Sequence, residues 1–172
     1  MIDKEKYKSL LAIMESGNDY SKINSIGALG KYQFLPSTLN GLKSKYNLPS
    51  WNNAAYFTSH PDLQEKYINA LIEDTLNFIS ANNLSIYIGQ KITGTMRFKT
   101  ITANLSLYGM LAGAHLAGTN NLKRFLLDGY NPNDGFTSLA DYAALFSSKI
   151  TGLDNILPIL LAFIPAIVLY YI

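Results

Sequence analysis

The sequence predicts a mainly α-helical domain of six or seven helices over residues 1–150, followed by a hydrophobic C-terminal tail helix over residues 151–172. Three observations predict it. Along most of the chain, apolar residues recur at the spacing that places them on one helical stripe. Helix punctuation brackets those stripes: a polar cap or a first-position proline before, a glycine after. Charged residues end at Asp154, leaving Ile156 to Ile172 as an uncharged apolar run. At 172 residues, 48% of them hydrophobic, the chain can build one domain with a sizeable core and is too short for two full-sized ones.

Asp3 is placed to cap a helix reaching about Ser16, with Tyr7, Leu10, Leu11 and Met14 on one stripe, and Gly17 stops it. Asn18 to Phe34 contains Gly and Ser and shows no period. Pro36 opens a second helix to about Tyr46 through Leu39 and Leu42. Asn47 to Thr58 reads as loop. Pro61 opens a long helix to about Ala81, with Leu63, Tyr67, Leu71 and Phe78 facing inward. Ser80 to Thr100 reads as irregular or briefly extended. Thr102 then caps an apolar helix through Leu116, and Asn120 or Asn121 starts another that ends at Gly129. Ser138, with Asp141 three residues later, resembles a capping box at the start of a last amphipathic helix to about Lys149.

Composition removes several functions. Fourteen basic against twelve acidic side chains leave +2, too little for a protein that neutralises phosphates, so no nucleic-acid partner is expected. The absence of cysteine excludes a disulfide scaffold, a thiolate metal site and a cysteine nucleophile. His60 and His115 are the chain's two histidines, so no metal site is expected. The run from Ile156 spans about 25 Å as a helix, at the short edge of a bilayer core of about 30 Å. Pro158 and Pro165 each remove a backbone donor, while Tyr170 and Tyr171 suit a membrane interface. A membrane anchor is the expectation, against a buried core helix or a segment docking on a partner.

Glu15 stands beside the apolar stripe in the last turn of the first helix. The carbonyl end of a helix disfavours an anion, and apolar neighbours desolvate a carboxylate, so both effects favour the protonated form. A carboxyl that keeps its proton is what cleavage of a glycosidic bond requires, because the leaving oxygen must be protonated. On position alone, a solvated Glu at an ordinary helix end is the alternative.

From Glu15 the chain reads ESGNDYSKINSIGALGKYQF. This stretch resembles the lysozyme-like peptidoglycan lytic transglycosylases, most closely the branch found in bacteriophage and secretion-associated muramidases, with their ESGxDYxxxN and GxLGxYQF motifs. Glu15, Ser16, Gly17, Asp19, Tyr20 and Asn24 match the first motif. Gly27, Leu29, Gly30, Tyr32, Gln33 and Phe34 match the second. HPDLQEKYINAL, SLYGMLAGAHLAG and DGFTSLADYAALFS follow in the family's order, so the similarity covers about residues 5 to 149.

The resemblance implies a soluble lytic transglycosylase-like fold and an enzyme that cleaves the β-1,4 bond between N-acetylmuramic acid and N-acetylglucosamine. Glu15 would act first as acid and then as base, closing a 1,6-anhydro ring on the muramoyl residue; no cofactor takes part. It also implies substrate contacts from Ser16, Tyr32, Gln33, His115 and Tyr142. Ser16 would donate to the acid or the sugar, and Tyr32 and Gln33 would supply an aromatic face and a two-way amide. His115 would lie near the cleft floor and the Tyr142 hydroxyl would point towards the acid. Core packing is the alternative for His115 and Tyr142, and the stronger reading for Phe34. Asp19, Gln64 and Glu65 are supporting residues: Asp19 reads as a turn former, and one of the Gln64–Glu65 pair as a buried group orienting the cleft. Glu65 as a second catalytic acid is the lesser reading. Where many transglycosylases carry AYNAG, this chain has Ala114-His115-Leu116-Ala117-Gly118, so Leu116 replaces an asparagine. Lys91, Arg97 and Lys99 form a small basic patch, read as a solvated loop.

The competing functions are a hydrolytic muramidase and a non-catalytic cell-wall-binding structural virion protein. The opening MIDKEKYKSLLAIMESG has no apolar stretch of signal-peptide length. The expected setting is therefore a phage particle. There the enzyme would meet peptidoglycan strands and other virion proteins, its tail in an internal viral membrane; a bacterial cell envelope is the alternative.

Overall fold

The computed structural model describes residues 2–96, 98–133 and 135–151. The tail expectation and Arg97 of the basic patch therefore lie outside the described residues. These are mainly helical, with seven α-helices and one two-stranded sheet among them. No helix among the described residues is long and apolar enough to cross a membrane. They form two compact units, Asp3–Glu73 and a second that begins at Asp74.

The first unit holds α1 (Lys4–Ser16), α2 (Pro36–Tyr46), α3 (Ala54–Thr58) and the start of α4 (Pro61–Ala81). The Asp3 carboxylate accepts the Lys6 N–H at 3.0 Å, satisfying one of the donors that every helix start leaves open. Gly17, in the left-handed region, ends α1. Pro36 opens α2 with no side-chain cap, since its missing N–H needs no partner. α3 falls in the stretch read as loop. Its five residues are too few to show a period, but Asn53 caps it by accepting from the Tyr56 N–H at 2.9 Å.

Phe57 of α3, Tyr67 of α4 and Phe34 meet edge to face, with ring centroids 5.7 to 6.4 Å apart, and Tyr32 joins through Phe34 at 6.4 Å. Such pairs add about 0.5–1.5 kcal/mol each beyond the area they bury. The stretch without period, 18–34, is thereby pulled onto the helices. It runs through tight turns closed by antiparallel bridges, Ile23 with Leu29 and Leu29 with Phe34.

In the second unit α4 ends, a 3₁₀ turn follows at Leu84–Tyr87, and β1 (Lys91–Met96) pairs antiparallel with β2 (Lys99–Asn104). Then come α5 (Leu107–Ala117), α6 (Thr119–Asp128) and α7 (Leu139–Thr151). The helix expected from Thr102 is corrected here. Thr102 belongs to β2, its hydroxyl 3.0 Å from that of Thr93, and Ser106 is the cap of α5, accepting from the Gly109 N–H at 3.1 Å. Ile101 and Leu105 sit four apart, which suits a helix, but β1 buries alternate residues (Ile92, Gly94, Met96), and its strand period carries β2 with it.

α5 and α7 approach closely through small residues. A Cβ at Gly109 would lie 2.1 Å from the Ser147 Oγ and 2.5 Å from the Ala143 carbonyl oxygen. Around this contact Ile79, Leu84, Ile92, Leu105, Met110, Leu122 and Leu139 form the core of the unit.

The expected capping pair is in place: Ser138 Oγ accepts from the Asp141 N–H at 3.2 Å, and the Asp141 carboxylate accepts the Ser138 N–H at 2.8 Å. The same carboxylate also accepts the Thr95 N–H of β1, so it fastens the hairpin to the start of α7. Asp141→Ala removes both roles. A cap is worth about 1 kcal/mol and a bond to a charged group about 1.5 kcal/mol, so a loss of about 2.5 kcal/mol is expected, readable in the urea unfolding midpoint.

Candidate active site

Glu15 occupies the last turn of α1, partly buried, where the N–H groups of Gly17 and Asn18 close the helix onto the carbonyls of Ile13 and Ala12. Its charge is felt by Tyr7 of the same helix, whose phenol is pushed up by burial and further by Glu15. The motif residues after Glu15 build turns. The Ser16 hydroxyl donates to the carbonyls of Lys31 at 2.8 Å and Ala12 at 3.3 Å, and accepts the Asp19 N–H at 2.9 Å. These hydrogen bonds of Ser16 go to backbone and hold two turns together. Asp19 accepts the N–H and hydroxyl of Ser21 at 2.8 and 2.7 Å, and these bonds hold its carboxyl below the usual range. Asn24 accepts from the N–H groups of Ile26 and Ala28.

The second motif is fixed from α4. Gln64 is fully buried and completely satisfied: its carbonyl accepts the Lys31 N–H at 2.8 Å, and its amide donates to the carbonyls of Tyr20 at 3.0 Å and Phe57 at 2.9 Å. Gly30 makes room for it. A Cβ at Gly30 would stand 2.1 Å from the Gln64 Oε1, and its φ of +74° already disfavours a side chain. Gly30→Ala is expected to cost about 2 kcal/mol, the sum of a left-handed alanine and a displaced buried amide. A thermal melt of the variant checks this.

Glu65, next along α4, is a hub. One oxygen accepts from the hydroxyls of Tyr32 at 2.7 Å and Tyr20 at 2.8 Å and from the Lys31 Nζ at 3.2 Å; the other accepts from the Lys8 Nζ at 3.0 Å. Burial alone would raise its pKa, but the bonds from Tyr32, Tyr20, Lys8 and Lys31 outweigh it and hold the carboxyl at about 2. Glu65 is therefore an anion at any pH near neutrality and carries no proton to give. Tyr32, expected to face a sugar, is fully buried with its hydroxyl on Glu65; the ring packs in the core, as Phe34 does. Gln33, with φ +49°, is partly exposed and donates to the Gly30 carbonyl at 2.8 Å.

His115 and Tyr142 lie in the second unit. His115 is partly buried in the last turn of α5; Tyr142 is buried near the start of α7, its ring centroid 5.6 Å from that of Phe146. Lys91 and Lys99 are exposed on the hairpin. Among the described residues no group of three or more His, Asp or Glu side chains is placed to hold a metal ion.

Lys8 and Lys31 belong to the site without standing among the motif residues. Lys8 carried a signal: it sits beside Tyr7 and one turn from Leu11 and Ala12, and a cation on a buried face needs an anion. Lys31, at a variable position of the motif, carried none. Comparison of the chain with protein-family models, with curated proteins and with solved structures gives no match.

Proposed function

We propose that this chain is a peptidoglycan-cleaving enzyme, a lytic transglycosylase with Glu15 as its acid and base. Glu15 protonates the oxygen joining N-acetylmuramic acid to N-acetylglucosamine as that bond breaks. The carboxylate so formed takes the proton of the muramoyl C6 hydroxyl, whose oxygen closes on C1, and Glu15 is regenerated. The hydroxyl is already attached to the reacting sugar, so one carboxyl suffices and no water need be positioned.

The observation that carries this reading is the division of labour among the carboxyls. Asp19 is engaged with Ser21 in a turn, and Glu65 is an anion saturated by four donors. Glu15 is the third, partly buried at the end of a helix and followed by turns that side chains from α4 hold in place. A retaining hydrolase would need a second carboxyl about 5 Å from the first as nucleophile, and Glu65 is committed elsewhere.

Mass spectrometry of digested sacculi tests the proposal. Products ending in anhydromuramic acid are expected. Ends heavier by one water would replace this reading with a hydrolytic muramidase. Binding to sacculi without release of fragments would replace it with a wall-binding structural protein. The proposed setting remains a phage particle, with the apolar run after Asp154 in an internal membrane. Detection of the chain in purified particles supports that setting, and its absence there turns the reading towards a bacterial envelope enzyme.

A further inference from the structure

Lys31 is bonded at every polar atom. Its N–H donates to Gln64, its carbonyl accepts from Ser16, and its Nζ donates to Glu65 at 3.2 Å and the Tyr20 hydroxyl at 3.0 Å. The ammonium also lies 4.6 Å from the Tyr20 ring centroid and 5.2 Å from that of Tyr32. Its side chain is 15% exposed. Neutralising Glu65 does not by itself require Lys31, because Lys8 already meets the other carboxylate oxygen. Lys31 differs from Lys8 in where its backbone goes: the carbonyl holds Ser16, which is covalently next to Glu15.

No helix or strand fixes the backbone at Lys31, which lies in a turn between Gly30 at φ +74° and Gln33 at φ +49°. Its position is set by the side-chain clamp on one side and by Gln64 on the other. We propose that Lys31 is a positioning residue for Glu15, relaying the anchorage of Glu65 on α4 through its own carbonyl and Ser16 to the end of α1. The inference rests on Glu15 being the catalytic acid. A displacement of about 1 Å at a reacting group costs up to about 100-fold in rate, so a slack relay shows in turnover before it shows in binding.

The test compares wild type, Lys31→Met, Lys31→Arg and Glu15→Gln on soluble uncross-linked glycan strands, with thermal melts of each. Lys31→Met is expected to lower kcat about 100-fold with KM nearly unchanged and the protein folded at assay temperature. Lys31→Arg, which keeps charge and donors, is expected to recover most of the loss. An unchanged kcat, a loss confined to KM, or a loss that merely follows the unfolded fraction would overturn the proposal. Should Lys31→Met not fold, Tyr20→Phe removes one partner of the Nζ and decides in its place: reduced kcat supports the relay, unaltered kcat ends it. Amide exchange at Asp19, whose N–H bonds to Ser16, gives a readout that needs no activity. Faster exchange in Lys31→Met supports the relay and equal exchange refutes it. An inactive wild type, indistinguishable from Glu15→Gln, would instead overturn the transglycosylase reading, with the exchange result still deciding the relay.

Discussion

Glu15→Gln is expected to reduce release of wall fragments by about 1,000-fold, within the range removed when a general acid is lost, and to leave the fold intact. Glutamine keeps the size and the carbonyl of the side chain, so the end of α1 loses no packing. In the proposed mechanism the transferable proton disappears, and with it both halves of the reaction, since the same group would later accept the C6 hydroxyl proton. Glu15 is partly exposed and the caps on either side of it are backbone bonds, so the melting temperature should move little. Turbidity loss of sacculi, read beside circular dichroism, checks both statements. Wild-type clearing by the variant would remove Glu15 from the mechanism.

The second large effect runs towards greater stability. Lys149, in the last turn of α7, is 5% exposed, and its ammonium has no hydrogen-bond partner among the described residues. Burial pulls its pKa from 10.5 down to about 8. The carbonyl end of a helix returns about 0.3–1 kcal/mol to a cation there, less than the desolvation it opposes. Lys149→Met keeps a long flexible apolar side chain without the charge and is expected to raise stability at neutral pH by about 1–2 kcal/mol, less than the full free energy of such a shift because solvent screens part of it. The sign in pH follows. Between about 8 and 10.5 the unfolded chain binds the proton that the folded chain has released, so wild-type stability rises with pH across that window. Below it both states are protonated and the penalty is present in full. Urea unfolding at pH 7 and pH 10 should show the gap between wild type and variant closing. A variant less stable than wild type at pH 7 would mean that the ammonium is stabilised where it lies.

Local chemistry explains which parts of the fold were legible. Asp3, Gly17, Pro36, Pro61, Ser138 and Asp141 act within a turn or two of where they stand, and each marks a helix boundary that the structure contains. α3 was hidden because five residues cannot display a period. The second strand of the hairpin was hidden because Ile101 and Leu105, four apart, suit a helix as well as a strand, and only pairing with β1 decides between them. In the candidate site, the motif located Glu15 and the Gln64–Glu65 pair, but not the division between them. That Gln64 is the buried orienting amide and Glu65 a saturated anion depends on Lys8, Tyr20, Lys31 and Tyr32, which approach from distant points in the sequence. Ser16 and Tyr32 likewise bond to groups distant in the sequence, the Lys31 carbonyl and the Glu65 carboxylate.

Gln64 offers one acceptor to a backbone N–H and two donors to two backbone carbonyls, all out of water. No other side chain supplies that set at that length: asparagine is a methylene short, and glutamate would set negative oxygens against two carbonyls. Gly30 is bound to the same fate by the space the amide occupies. Under mutational drift these two positions have almost no independent freedom, and a lineage that altered one without the other would lose the loop that follows α1.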